Sequence, residues 1–192
     1  MNGFDVRVLG CGIVSRCAAL ALARQGLRVA LQARPPTTAS AAPDVRAYAL
    51  NPASVALLAG LKAWDTLPAD ARTAVHDMKV SGDAPGAAIE FSAFTQSVSV
   101  LAWIVDAAAL EAVLDSAAGF TPLITLQAEP APAPLTVVAE GKASALRDQL
   151  GVSFERHAYG QRAIAARLVS DRPHLGVARQ WFRSPDILAL LP

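Results

Sequence analysis

Aromatic residues make up only 6% of this 192-residue chain, which also has just three lysines beside fourteen arginines, two cysteines and three histidines. Each shortage excludes something. Cys11 and Cys17 lie six positions apart, which is neither the spacing of a redox pair nor a zinc pattern, and His76, His157 and His174 are scattered without ligand spacing. No metal is expected, and the thiols read as small buried groups in a reducing compartment. A formal net charge of +1 is too small for nucleic acid or an anionic membrane to be the main target. No uncharged apolar run reaches the roughly 18 residues of a membrane span. Two amino-terminal stretches look faintly like targeting signals, but Asp5, Arg7 and Arg16 interrupt them. There is no Gly-x-Ser-x-Gly elbow and no Ser-His-Asp set, so a hydrolase has little support. The chain reads as cytoplasmic, with peripheral membrane contact at most.

What is abundant is small and apolar. Hydrophobic residues form 53% of the chain and alanine is the commonest of them, a composition that lets helices pack closely on a sheet. Charge is segregated along it. Residues 1–50 carry six arginines against Asp5 and Asp44, residues 51–140 three basic groups against ten acidic, and residues 141–192 eight against four. Basic ends around an acidic middle suit a small polyanion held between them; ordinary solvated surface charge gives the same pattern.

Between Phe4 and Gln32 the hydrophobic period changes twice within the length of one strand, helix, strand unit. Val6, Val8 and Leu9 predict a strand, Ile13 to Arg24 a helix stopped at Gly26, and Leu27 to Leu31 a second strand. Gly10-Cys11-Gly12-Ile13-Val14-Ser15 joins the first two in the manner of a dinucleotide-binding turn. Gly10 makes the tight turn, Gly12 admits a pyrophosphate to the backbone, and the free amides of the helix start supply partial positive charge. Ser15 replaces the third glycine. Gln32 stands where an acid is expected for the ribose hydroxyls, and can bond them only without the charge. A plain glycine turn is the alternative reading.

Pro35 to Pro43, rich in proline and hydroxyl residues, predicts an exposed loop. A helix then begins with Asn51 as cap and Pro52 in its first turn. Arg46, the one charge between Asp44 and Lys62, is placed to reach a phosphate or a flavin edge, although such a residue is often plain surface.

These segments, together with Arg46-Ala47-Tyr48-Ala49-Leu50-Asn51-Pro52, Leu101-Ala102-Trp103-Ile104-Val105-Asp106, Tyr159-Gly160-Gln161-Arg162-Ala163 and Ala178-Arg179-Gln180-Trp181-Phe182, resemble the ubiquinone-biosynthesis flavin hydroxylases. That family is a branch of the para-hydroxybenzoate-hydroxylase-like monooxygenases. Its second nucleotide motif, Asp-Gly followed by Ser and Arg, reads here Glu140-Gly141-Lys142-Ala143-Ser144-Ala145-Leu146-Arg147. One extra methylene in Glu140 keeps the charge and moves it; a solvated Glu140–Arg147 helix-end pair is the plainer account. The family's third motif, a Gly-Asp followed by small residues and His, has no match. The resemblance is therefore to the amino-terminal portion of the family.

The resemblance implies an α/β fold, a Rossmann-like FAD-binding domain (residues 1–75 and 100–152) with a partial β-sheet substrate domain (76–99 and 153–192). It implies FAD, reduced by NADPH or NADH, and hydroxylation with oxygen of an aromatic small molecule such as a prenylated phenol, with other ubiquinone-pathway proteins as partners. Gly10, Gly12, Ser15, Gln32, Arg46, Glu140, Gly141 and Arg147 would face the cofactor. No acid–base dyad is required, since the hard chemistry is the cofactor's. The alternation from Arg162 to Val169 predicts a covered sheet, and Trp181 with Phe182 adds flat apolar surface for an aromatic ring or prenyl tail, or simply closes a core. The substitutions at Ser15, Gln32 and Glu140 and the missing third motif also suit a truncated, non-catalytic relative that binds a nucleotide, a lipid-like phenol or a partner hydroxylase. A plain NAD(P)-dependent oxidoreductase is disfavoured, because no Tyr-x-x-x-Lys pair follows the glycine unit.

Overall fold

The computed structural model describes residues 3–35 and 44–192, so most of the loop expected at Pro35 to Pro43 lies outside the described residues. In chain order the elements are β1 (Val6–Leu9), α1 (Ile13–Arg24), β2 (Val29–Gln32), β3 (Ala47–Leu50), α2 (Pro52–Gly60), β4 (Arg72–Val75), β5 (Asp77–Ser81) and β6 (Ala88–Ser92). They continue with β7 (Ala102–Asp106), α3 (Ala107–Gly119), β8 (Ile124–Gln127), β9 (Leu135–Val138), α4 (Ala145–Gln149), β10 (Val177–Arg183) and β11 (Asp186–Leu190). Two units result, Met1–Pro43 with Leu110–Ile164, and Asp44–Ala109 with Ala165–Pro192. Residues 44–75 and 100–109, expected with the nucleotide domain, group with the second unit, and residues 153–164 group with the first.

In the first unit the apolar runs of β1 and β2 bury almost completely; Val6, Val8, Val29, Ala30 and Leu31 are each 2% exposed or less. Strands buried on both faces read as continuous apolar runs rather than alternating ones, and they belong to parallel sheets. The sheet is parallel throughout, ordered β8-β2-β1-β9. This is the doubly wound arrangement, in which the chain runs outward on one side of β1 and then crosses to its other side. The buried stripe of α1 is Ser15, Arg16, Ala19, Leu20 and Ala23, mostly small groups at helical spacing, which brings the helix close to the strands. Gly26, at φ +84°, ends it as expected. From α3 come Leu110, Leu114 and Ala118, all buried. Arg16, 2% exposed, pairs with Asp115, and Arg34 reaches Glu111 at 2.7 Å and Asp115 at 3.4 Å. A cation buried this far requires such a partner.

The second unit holds two sheets, β3-β7-β4, antiparallel throughout, and β11-β10-β5-β6, in which only β10 and β5 run parallel. Val75, Ile104 and Ala178 form a small buried cluster with Met78 and Ala102 against it. Asn51 caps α2 as expected, its Oδ1 accepting from the Ser54 amide at 2.8 Å. Trp64 and Trp103 meet edge to face at 5.3 Å, with the Arg72 guanidinium 4.8 Å from the Trp64 ring centre.

One expectation is overturned. Tyr159 to Ala163 and Arg162 to Val169 form no strand; the backbone there is irregular, and Tyr159, Ile164, Leu168 and Val169 are all well exposed. Alternation states which side chains would share a face. A strand also needs a neighbour for its N–H and C=O groups, and the described residues provide none here.

Candidate functional site

Open parallel sheets bind ligands beyond the carboxyl ends of the strands where their order reverses, which in the first unit lies between β1 and β9. Gly10 follows β1 there, at φ +117°, and a Cβ on it would stand 2.2 Å from the Ala139 carbonyl oxygen. Only glycine lets the two strand ends come this close. Its N–H donates to Gln32 Oε1 at 2.6 Å. The carbonyl end of Gln32 is thus turned back onto the glycine turn.

Gly12 caps α1, with open space where its Cβ would be. No side chain caps this helix and no acid stands in its first turn, so its leading amides and the positive end of its dipole face outward. Ser15 is fully buried, and its hydroxyl donates to the Gly12 carbonyl at 2.7 Å. The serine thus occupies the third-glycine position with its polar atom satisfied by the turn itself.

Past β9, Glu140 Oε2 accepts from the Ser144 hydroxyl at 2.6 Å and from the Leu146 amide at 3.4 Å. Ser144 Oγ in turn accepts from the Arg147 amide at 3.1 Å, capping α4. The longer acid bridges back over the start of α4 instead of pairing with Arg147, which corrects the helix-end pair. Arg147 reaches Asp148 at 3.3 Å and the Lys142 carbonyl at 3.3 Å, and lies 4.1 Å from the centre of the Phe154 ring. Gly141, at φ +77°, joins Glu140 in the wall of a cleft of about 400 Å³, whose other walls include Val14, Val138, Arg147 and Val152.

The remaining sequence candidates lie in the second unit. Arg46 is exposed and holds Asp44 through contacts of 2.7–3.1 Å, which depress the Asp44 carboxyl to about 2. Trp181 and Phe182 do not form one wall, because neighbouring strand residues point to opposite faces. Trp181 sits across from Leu188 and lines a shallow cavity of about 510 Å³ with Arg183, Ser184 and Asp186; Phe182 is opposite Ile187 on the other face.

Sequence reading passed over Phe154 and Arg156. The signal was present in Leu150, Val152 and Phe154, apolar at every second position, but no regular element forms there to draw attention to it. It also passed over Asp106, which caps α3 through the Ala109 amide at 2.9 Å and pairs with Arg167. Among the described residues no group of three or more His, Cys, Asp or Glu could hold a metal, and no helix is long and apolar enough to cross a membrane.

No family model matches the chain. Curated proteins do. The ubiquinone hydroxylase UbiL of Rhodospirillum rubrum is 26% identical over 98% of this chain and 49% of its own length. The 3-demethoxyubiquinol 3-hydroxylase of Escherichia coli is 28% identical over 83% of this chain and 47% of its own. The chain resembles the amino-terminal portion of the ubiquinone-pathway flavin hydroxylases. It spans about half the length of these hydroxylases. Solved structures share the fold: 2-methyl-3-hydroxypyridine-5-carboxylic acid oxygenase superimposes with a TM-score of 0.69 over 100% of this chain and 55% of its own, at 16% identity. A variant of PqsL from Pseudomonas aeruginosa does so at 0.67, over 82% and 48%, at 20% identity. The parallel four-stranded sheet of the first unit, together with the two sheets of the second, is therefore the fold these solved structures share.

Proposed function

We propose that the first unit holds the FAD of an aromatic-ring hydroxylase acting in ubiquinone biosynthesis on a prenylated phenol. The observation that carries this reading is the approach of Gly10 to Ala139 at the strand-order reversal, in front of an uncapped helix start. The residues present fit the group. Backbone amides after Gly12 face where a pyrophosphate would lie, and no carboxylate of the first turn opposes it. The Gln32 amide nitrogen is the donor for a ribose hydroxyl, and Ser15 keeps α1 close to the sheet without leaving an unpaired polar atom. Glu140 and Ser144 hold the start of α4, and Arg147 carries positive charge at the cleft wall. When bound and reduced by NADPH or NADH, FAD would supply the oxygen chemistry; this chain would hold and orient it. Trp181 is the better candidate of the aromatic pair for a ring contact, since it lines a cavity with polar groups beside it. Arg46 remains a cofactor candidate through the resemblance alone. The setting that goes with this reading is cytoplasmic, with peripheral membrane contact where a prenylated substrate lies.

A second reading, a non-catalytic relative that keeps the nucleotide, is favoured by Gln32, whose carbonyl is already engaged by Gly10. The two part on one assay. With FAD added, the hydroxylase oxidises NADPH faster when a phenol is supplied; bound FAD with no phenol-dependent oxidation selects the second reading instead.

A further inference from the structure

In the second unit β10 runs past the end of the strand it pairs with. β5 stops at Ser81, opposite Trp181, so Phe182 and Arg183 have partners only in β11, at Ile187 and Asp186. Ser184 and Pro185 then turn the chain back. A two-stranded hairpin tip is marginal by itself. This one is fixed from the other side: Asp83, in the loop between β5 and β6, accepts from the Ser184 amide with both carboxylate oxygens, at 3.0 and 3.3 Å. That loop is ordered in turn, since the Gly82 amide donates to the Ala87 carbonyl at 2.7 Å and the Ala87 amide to the Ala84 carbonyl at 3.0 Å. Among the described residues Asp83 is the one group outside the hairpin that bonds its tip.

The same tip is the wall of the shallow cavity. Trp181, Arg183, Ser184, Asp186 and Leu188 line it, and alternation puts the four strand residues among them on one face of the hairpin, so wall and turn move together. Asp83 is exposed and needs no partner on its own account, because water serves a surface carboxylate as well. What its bonds change is the turn. We propose that Asp83 is a positioning residue for the Trp181 cavity: by holding the Ser184 amide it sets the hairpin tip, and with it the surface against which a phenol ring lies. This rests on the reading of that cavity as the ring site, and adds to it a residue outside the cavity lining.

Calorimetric titration of the FAD-supplemented chain with 2-prenylphenol, paired with NMR amide exchange at Ser184, tests the role. Asp83→Ala should weaken 2-prenylphenol by about five-fold, the scale of one hydrogen bond to a charged acceptor at an exposed site, and should speed Ser184 exchange. Asp83→Asn keeps one acceptor oxygen and should restore affinity to within about two-fold of the parent. Glu90→Gln removes the same charge from β6, which does not adjoin the hairpin, and should change neither quantity. FAD affinity should be the same in all three. Faster Ser184 exchange with unchanged 2-prenylphenol affinity in Asp83→Ala overturns the positioning role and leaves the cavity reading standing. Weaker affinity with Ser184 exchange unchanged also overturns it, as does an equal loss in Glu90→Gln, which would make the effect one of net charge. Trp181→Ala tests the cavity reading separately: parental affinity in that variant puts the ring elsewhere and overturns both. A parent chain that binds FAD but no 2-prenylphenol overturns both as well.

Discussion

The parallel sheet of the first unit and the β11 edge of the second use the same apolar residues to different ends. Val29, Ala30 and Leu31 in β2 are wholly buried, whereas Ile187, Leu188 and Leu190 in β11 are 55%, 56% and 42% exposed. Residue type does not separate them; position does. β2 lies inside a four-stranded sheet, with the buried stripe of α1 packed against that sheet, and β11 is an edge strand with one neighbour. The sheet whose central strands are buried also carries the glycine turn, so the turn stands on the end of a packed strand, where a binding geometry is best kept.

The contrast can be broken most sharply at Gly10. Gly10→Val puts a β-branched side chain at φ +117° with its Cβ 2.2 Å from a backbone oxygen, and should cost about 4 kcal/mol or more from strain and overlap together. Urea unfolding at parental stability would show that β1 and β9 do not approach as described. Next comes a matched pair. Leu31→Ala should cost about 3 kcal/mol and Leu188→Ala less than about 1, since the second side chain is half in water already. Equal losses would mean that β11 is covered after all. Asp115→Asn leaves Arg16 buried without its carboxylate; Asp115 is partly exposed and Arg34 is near, so about 2 kcal/mol is expected, below the usual cost of breaking a buried pair.

The smallest effect concerns pH, and it should be alike in both units. The Arg28 guanidinium holds the Asp5 carboxyl at about 2, as Arg46 holds Asp44. Because these values are depressed in the folded state, the stabilisation is complete above about pH 5, where the unfolded carboxyls are ionised, and is lost progressively as pH falls through about 2. Carboxyl-carbon NMR titration should find both midpoints near 2; ordinary values would remove the pairs from the account.

Local signals were legible. The strand, helix, strand unit from Val6 to Gln32, the Gly26 stop and the Asn51 cap all depend on residues a few positions apart, and they lie where the pattern predicts. Distant pairings were not. Gly10 is required because Ala139 lies beside it, and no local pattern links those positions. The parallel pairing of β5 with β10 joins segments about a hundred residues apart in the chain. Arg162 to Val169 shows the converse, a proper alternation with no partner strand. At the site, the glycine turn could be read from spacing, whereas Gln32 turning onto Gly10 and the two arginines meeting on Phe154 arise only from folding.

FAD titration of the purified chain, followed by quenching of flavin fluorescence, bears most directly on the central claim. Saturable one-to-one binding that disappears in Gly10→Val while Leu188→Ala retains it is the predicted result. A folded chain that leaves flavin fluorescence unchanged at every FAD concentration would contradict the claim that the first unit holds this cofactor.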